Sequence, residues 1–448
     1  MNQFTFEGKQ KTVLGLFMLL GLVCMGLTYI TDDELHTRFW SNFLHNTVFF
    51  TGIAFVSTFV MAAFTSAYAG WHTIFRRIWE AYSLFLIVGL ALLMVLIGGV
   101  WLHYHHLYHW TDVTALHPYV NDAGVYSDVI KEGFKENPNY DVILGGKSSF
   151  LNKYWYTFGT IITVGVWYLF AQRLRSLSLS EDENGDTSYS HHKKIKFVSA
   201  VFLPIAAFSS AAMIWQWVMS LDAHWYSTMF AWYATASWFV SALALTILMI
   251  IYLKSKGYLE ELTGEHIHDL GKYMFAFSVF WTYLWFSQYM LIWYANNGEE
   301  TVYFHTRMRQ YPVLFYGNLI MNFALPFLIL MRNETKRKFG TVGFTAALVF
   351  FAHWFDFFQM IKPSARINAE HAMHAHHSAG GHDHEAGGHA VDAGHQFLMG
   401  FDFPGFLDIG TFLGFAALFI FFAFTKMAQA SLIPKNDPYL GESLHHHV

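Results

Sequence analysis

The sequence predicts an all-α integral membrane protein of about ten transmembrane helices, and three features carry that expectation. Apolar residues make up 54% of the 448 and charged residues only 13%, against roughly 25% charged in an average soluble domain. The apolar residues gather into runs long enough, at about 1.5 Å per residue, to cross a ~30 Å hydrocarbon core. Aromatic residues reach 19%, and Tyr and Trp collect where a bilayer meets water.

In order, the expected spans are 12–30, 43–69, 79–102, 154–173, 197–219, 226–253, 271–295, 311–331, 341–361 and 405–429. The first follows Lys9 and Lys11. It exceeds a signal-peptide core and no small-residue cleavage pattern follows it, so it is expected to be retained. Ten spans place both termini on one side. That side carries twice as many Lys and Arg as the other, which is expected to put it in the cytoplasm. The loops 103–153 and 362–404 then face outward. The first is polar and holds Pro118, Pro138 and Gly145-Gly146, as a small cap would. The second contains the Ala-, Gly- and His-rich stretch 369–395, expected to be mobile. Residues 181–194 are expected to be a solvated inner loop.

Cys24 is the single cysteine. An intrachain disulfide, a cysteine-ligated iron–sulfur cluster and a C-x-x-C-H haem attachment are thereby excluded. The net charge of −5 has no basic cluster behind it, so nucleic acid is not an expected partner.

Ionisable groups inside a span are costly, roughly 2.5–3.5 kcal/mol for an Asp at mid-helix. His353 and Asp356 lie three residues apart on one helix face, with Asp356 about 7–8 Å below the expected outer end. They form a candidate proton-exchange pair or a structural staple between helices. Asp222 and His224 sit in the outer turn between the fifth and sixth spans, where Asp222 suits a helix cap or the mouth of a proton path. Gln216 and Gln288 face the same outer third and could extend a hydrogen-bonded chain or join helices. Glu80 opens the third span beside Arg76 and Arg77, as a surface ion pair or an inner proton mouth. His45 and Asn46 begin the second span, where water is expected to reach them. His103, His105, His106 and His109 follow the third span and read as an interfacial belt rather than a metal site. The eight histidines from His371 to His395 read as low-complexity solvation. No metal ligand set is expected. A b-type haem needs imidazoles at matched depth on two helices, and only His353 lies well inside a span.

The string Met219-Ser220-Leu221-Asp222-Ala223-His224-Trp225-Tyr226-Ser227-Thr228, with the ten-span layout, resembles the polysulfide-reductase membrane-subunit (NrfD-like) family. Within that family it is most similar to the membrane subunits of bacterial alternative complex III. The ending Pro434-Lys435-Asn436-Asp437-Pro438-Tyr439, running into Glu442-Ser443-Leu444-His445-His446-His447, resembles the F-type subunit. The resemblance covers nearly the whole chain. It implies two four-helix bundles, spans two to five and six to nine, flanked by the first and tenth. It implies a complex that oxidises quinol and passes electrons to cytochrome c or a terminal oxidase. The implied partners are lipids, a sister NrfD-like subunit, a periplasmic iron–sulfur protein and cytochromes c, with no cofactor bound by this chain. Quinol, haem c and iron–sulfur clusters would sit on those partners. The quinol-binding sister carries a histidine in an early span. The comparable stretch here, Thr51-Gly52-Ile53-Ala54-Phe55-Val56-Ser57-Thr58, has none. That implies a bracing role with a second proton route. A stand-alone transporter or channel is an alternative, as is a subunit III-like accessory chain of a terminal oxidase, since a similar string occurs there with seven spans.

Overall fold

A computed structural model describes residues 3–185, 189–378 and 396–447, with the side chains of 374–378 left aside. Helix predominates, and the helices that matter below are α1 (Gly8–Thr31), α2 (Thr37–Ser66), α3 (Arg76–Ser83), α4 (Leu86–Leu102), α5 (Lys153–Asn184), α6 (Ser190–Trp217), α7 (Thr228–Ser255), α8 (Gly264–Ala295), α9 (Gly298–Gln310), α10 (Pro312–Leu319), α11 (Leu325–Leu330), α12 (Phe339–Ser378) and α13 (Phe406–Met427). Among the described residues, the one sheet has three short antiparallel strands inside the 103–153 cap.

Eight described segments are long and apolar enough to cross a membrane: Gly8–Thr31, Thr37–Ser66, Thr73–Leu102, Ser190–Leu221, Thr228–Ser255, Pro312–Leu330, Phe339–Met373 and Phe406–Met427. The chain is thus an all-α protein of multi-pass membrane type. The other two expected spans fall in α5 and α8, of 32 residues each. Both are rich in Tyr and Trp, whose polar tips lower mean hydropathy although the rings suit an interface.

α2 is the most enclosed helix, with 89% of its apolar window buried, and α1 the most peripheral, with 17%. α2 touches α3, α4, α6, α7, α12 and α13. α5 packs on α4 and α6; α7 packs on α8 and α12; α10 and α11 pack on α12. Small residues set two of the closest approaches. A Cβ on Gly21 would overlap the backbone of Gly414, and one on Gly410 would overlap Cys24. α1 is therefore held to α13 by backbone proximity, as membrane helices often are. A Cβ on Gly52 would overlap the indole of Trp238, so a fully buried ring of α7 lies directly on the α2 backbone.

Several local expectations change. The third span is interrupted at Leu84–Phe85, where the helix restarts. α4 ends at Leu102 and His103 is left-handed at φ 55°, so the four histidines after it share no helix face. α12 runs through Pro363 to Ser378, where a loop from 362 was expected. Residues 181–184 are helical rather than loop. The expected mobile stretch lies, from 379 to 395, outside the described residues. The segment Pro312–Leu330 contains a π turn at Ile320–Ala324. Pro326, which has no N–H, follows it directly.

Both chain ends lie at one end of the helices. Gln3 Nε2 donates to the Ala428 carbonyl at 2.8 Å, and Ser443 Oγ donates to the Trp71 carbonyl at 2.7 Å. The cap, the turn 218–227 and α9 lie at the far end.

Gly52→Val is expected to destabilise the protein by about 1–3 kcal/mol through overpacking. Gly98→Val, with open space around it, should leave thermal unfolding in detergent unchanged. Equal melting of the two variants would refute the Gly52–Trp238 contact.

Candidate functional site

Asp356 is fully buried on α12, and α7, α8 and α10 each direct a donor to it. The Tyr233 hydroxyl donates to Oδ1, Asn318 Nδ2 donates to Oδ1 at 2.7 Å, and Trp281 Nε1 donates to Oδ2 at 2.9 Å. The π turn presents Asn322, whose Nδ2 bonds Asn318 Oδ1 at 2.5 Å and the Ala352 carbonyl at 3.0 Å. Asn318 is thereby oriented by a second amide. One turn back on α12, His353 Nδ1 is 3.9 Å from Asp356 Oδ2 and 2.9 Å from Ser237 Oγ. His353 Nε2 is buried with no hydrogen-bond partner among the described residues.

This arrangement divides the chemistry. Three donors occupy three of the four lone-pair sites of the Asp356 carboxylate, which leaves one site on Oδ2, the oxygen 3.9 Å from His353 Nδ1, for a proton. His353 Nε2 can take a proton without breaking a bond. Because α12 continues to Ser378, Asp356 lies mid-helix and not near a helix end.

Toward the far end, Ser364 lies eight residues beyond Asp356, about 12 Å along the helix. Its Oγ donates to Asp222 Oδ2 at 2.5 Å. Arg307 Nη2 bonds the same carboxylate at 3.1 Å and Ser364 Oγ at 2.8 Å. The Arg307 guanidinium, 1% exposed, stands 3.4 Å from the centre of the Tyr303 ring. Tyr303 in turn stacks on Trp225 at 3.9 Å. Asp222 thus forms an ion pair rather than the expected cap. His224 separates from it and pairs with Asp141 of the cap.

The remaining expected residues do not join the pair. Gln216 is fully enclosed with neither side-chain atom bonded among the described residues, and Gln288 Nε2 has no partner there either. His45 and Asn46 are fully buried, not wet. They bond Trp354, His45 Nε2 to its carbonyl at 2.9 Å and Asn46 Oδ1 to its indole N–H at 3.0 Å. No group of three or more described His, Asp or Glu side chains is placed to hold a metal ion. Sequence reasoning missed Tyr233, Trp281, Asn318, Arg307 and Ser364. It also missed a buried cluster in which Lys362 donates to Ser41 Oγ at 2.9 Å, beside the Arg38–Asp408 pair at 2.7 Å. Asn318 and Asn322, four apart in an apolar run, were the one visible signal.

Glu80 sits at the termini end, fully buried and not at the surface. Arg76 Nε and Ser178 Oγ reach Oε1 at 3.3 and 2.7 Å, and Arg77 Nη1 reaches Oε2 at 2.8 Å. The C-terminal tail closes over this knot. Arg76 donates to Asp437, and Lys435 N donates to Asp182 Oδ1 at 2.7 Å. Burial pushes the Asp437 carboxyl up, but the Arg76 guanidinium, the Tyr439 backbone N–H and the nearby His192 and His72 together outweigh it and hold the group below its ordinary value. Glu181, on the α5 extension, is pushed up to about 7 by burial, with Asp437 adding and Arg76 opposing.

No protein-family model matches this chain, and no curated protein matches it.

Glu80→Gln leaves two buried guanidinium groups without their shared carboxylate, and the expected loss is about 3–5 kcal/mol. An unchanged unfolding midpoint would show the knot to be dispensable. For Glu181, the folded carboxyl keeps a proton that the unfolded chain releases above 4.5. Its contribution is full below 4.5 and disappears as pH rises through about 7. Thermal melts across that window should show the slope, and Glu181→Gln should flatten it.

Proposed function

We propose that this chain is a membrane subunit of a respiratory quinol:electron-acceptor oxidoreductase of the NrfD-like type. In this reading it crosses a bacterial inner membrane ten times, with both ends in the cytoplasm. It braces a quinol-oxidising sister subunit and carries a proton route of its own. The observation that carries the reading is the convergence on Asp356 and His353 of side chains from α7, α8, α10 and α12. Four helices spend polar groups on one buried pair, and intramembrane ionisable groups so arranged mark proton relays.

The contacts support two bundles: α2 to α6 on one side, and α7, α8, α10–α11 and α12 on the other, with α1 and α13 beside them. In the first bundle, the stretch that holds a quinol-binding histidine in the sister subunit carries Phe55 here. Its ring centre lies 4.0 Å from that of Trp167 and 6.3 Å from that of Trp238, and this packed apolar ring in place of a histidine favours the bracing role. The proton route then runs through the second bundle. His353 accepts at Nε2, Asp356 exchanges at the open site on Oδ2, and Asp222 is the far acceptor, held by Arg307 and Ser364. Glu80 is closed in by its arginines and the tail, so the near mouth lies elsewhere.

A transporter is the second reading. The π turn interrupting Pro312–Leu330 beside a mid-helix carboxylate favours it, since transporters bind substrates at broken helices. A seven-span accessory chain fits less well with eight described segments able to cross.

His353→Leu and Asp356→Asn in the reconstituted complex are expected to slow turnover by roughly tenfold or more and to reduce proton release. Unchanged turnover with unchanged proton release would make the pair structural. Co-purification with haem c and iron–sulfur partners is expected. A chain that purifies alone and moves a substrate would establish the transporter instead.

A further inference from the structure

A pocket of about 370 Å³ lies where the end of α6 and the start of α7 meet the cap just before α5. Its walls include Phe150, Leu151, Trp215, Met219, Trp225 and Thr228. The depth of this pocket is set by its surroundings. Trp101, Tyr154, Trp155, Tyr226 and Trp232 are exposed around the same end of α4, α5 and α7. Lys153 Nζ stands 4.7 Å from the Trp101 ring. Exposed Trp and Tyr with a snorkelling Lys mark the level of lipid headgroups.

The chemistry of the lining is one-sided. Lys147 donates to the carbonyls of Ala223 and His224 at 2.6 and 3.2 Å, and an ammonium has a third N–H. No carboxylate lines the pocket. The nearest acid, Asp141, is already bonded by His224 and by the backbone N–H groups of Ile143 and Leu144. An anionic head offers an acceptor to the remaining N–H of Lys147, and the largely apolar walls suit a hydrocarbon chain.

We propose that this pocket binds one anionic phospholipid, its phosphate against Lys147 and an acyl chain along Phe150, Leu151 and Met219. The volume falls in the range of ligand sites. The lipid braces the turn 218–227, which carries Asp222. The proposal rests on membrane embedding alone and stands or falls apart from the redox reading.

The test uses the full chain, in its complex as purified, placed in phosphatidylcholine nanodiscs doped with photoactivatable phosphatidylglycerol. Adducts are expected on residues 147–151 and 215–228. Lys147→Ala should lower capture about fivefold, the worth of one lysine at a lipid surface. Lys147→Arg should retain capture, and Leu151→Trp should abolish it by filling the cavity without touching the turn. Capture spread evenly over α5–α7, capture unchanged in Lys147→Ala and Leu151→Trp, or equal capture of photoactivatable phosphatidylcholine would each overturn the proposal. Recovery of a quinone from these residues in place of phospholipid would overturn it too.

Discussion

A carboxylate surrounded by hydrocarbon is tolerated only when its oxygens find donors, and Asp356 imposes that demand on four helices together. Tyr233, Trp281 and Asn318 answer it from α7, α8 and α10. Once they do, the relative rotation and depth of these helices are fixed, because each donor must reach the same two atoms. The π turn follows from the same constraint. It carries Asn322 round to orient Asn318, and Pro326 makes a regular turn there unfavourable in any case.

Between Asp356 and the charged clusters at either end of the helices the interior is largely aromatic, so van der Waals fit does much of the remaining work. Trp238 lying on Gly52 ties the carboxylate-bearing helices to α2, and Trp354 ties them again through His45 and Asn46. A shift at Asp356 is thereby felt at α2 through packed side chains. In low-dielectric surroundings such polar contacts are strong when complete and costly when broken.

The membrane class was legible because runs of apolar residues need no partner to be recognised. His353 and Asp356 were legible because charge in such a run stands out. Their donors were not, because a chain with 24 Tyr and 16 Trp offers no way to tell a hydrogen-bonding indole from a packing one. Burial of Glu80 was hidden for a related reason. Two neighbouring arginines look like an interfacial charge cluster until the tail is seen to cover them. Asp222 looked like a cap because its true partner, Arg307, lies 85 residues away. The length of α12 was misjudged because Lys362 and Pro363 resemble a helix stop, whereas Lys362 finds Ser41 inside.

The tail also orders the assembly in time. Arg76 and Asp437 are 361 residues apart, so the guanidinium is made well before its counter-ion. Until then the knot around Glu80 lacks one of its acids and Trp71 lacks Ser443. The termini end of the helices can lock only after α13 has entered the bilayer and the segment behind it has been made, which makes emergence of that segment the event that seals it.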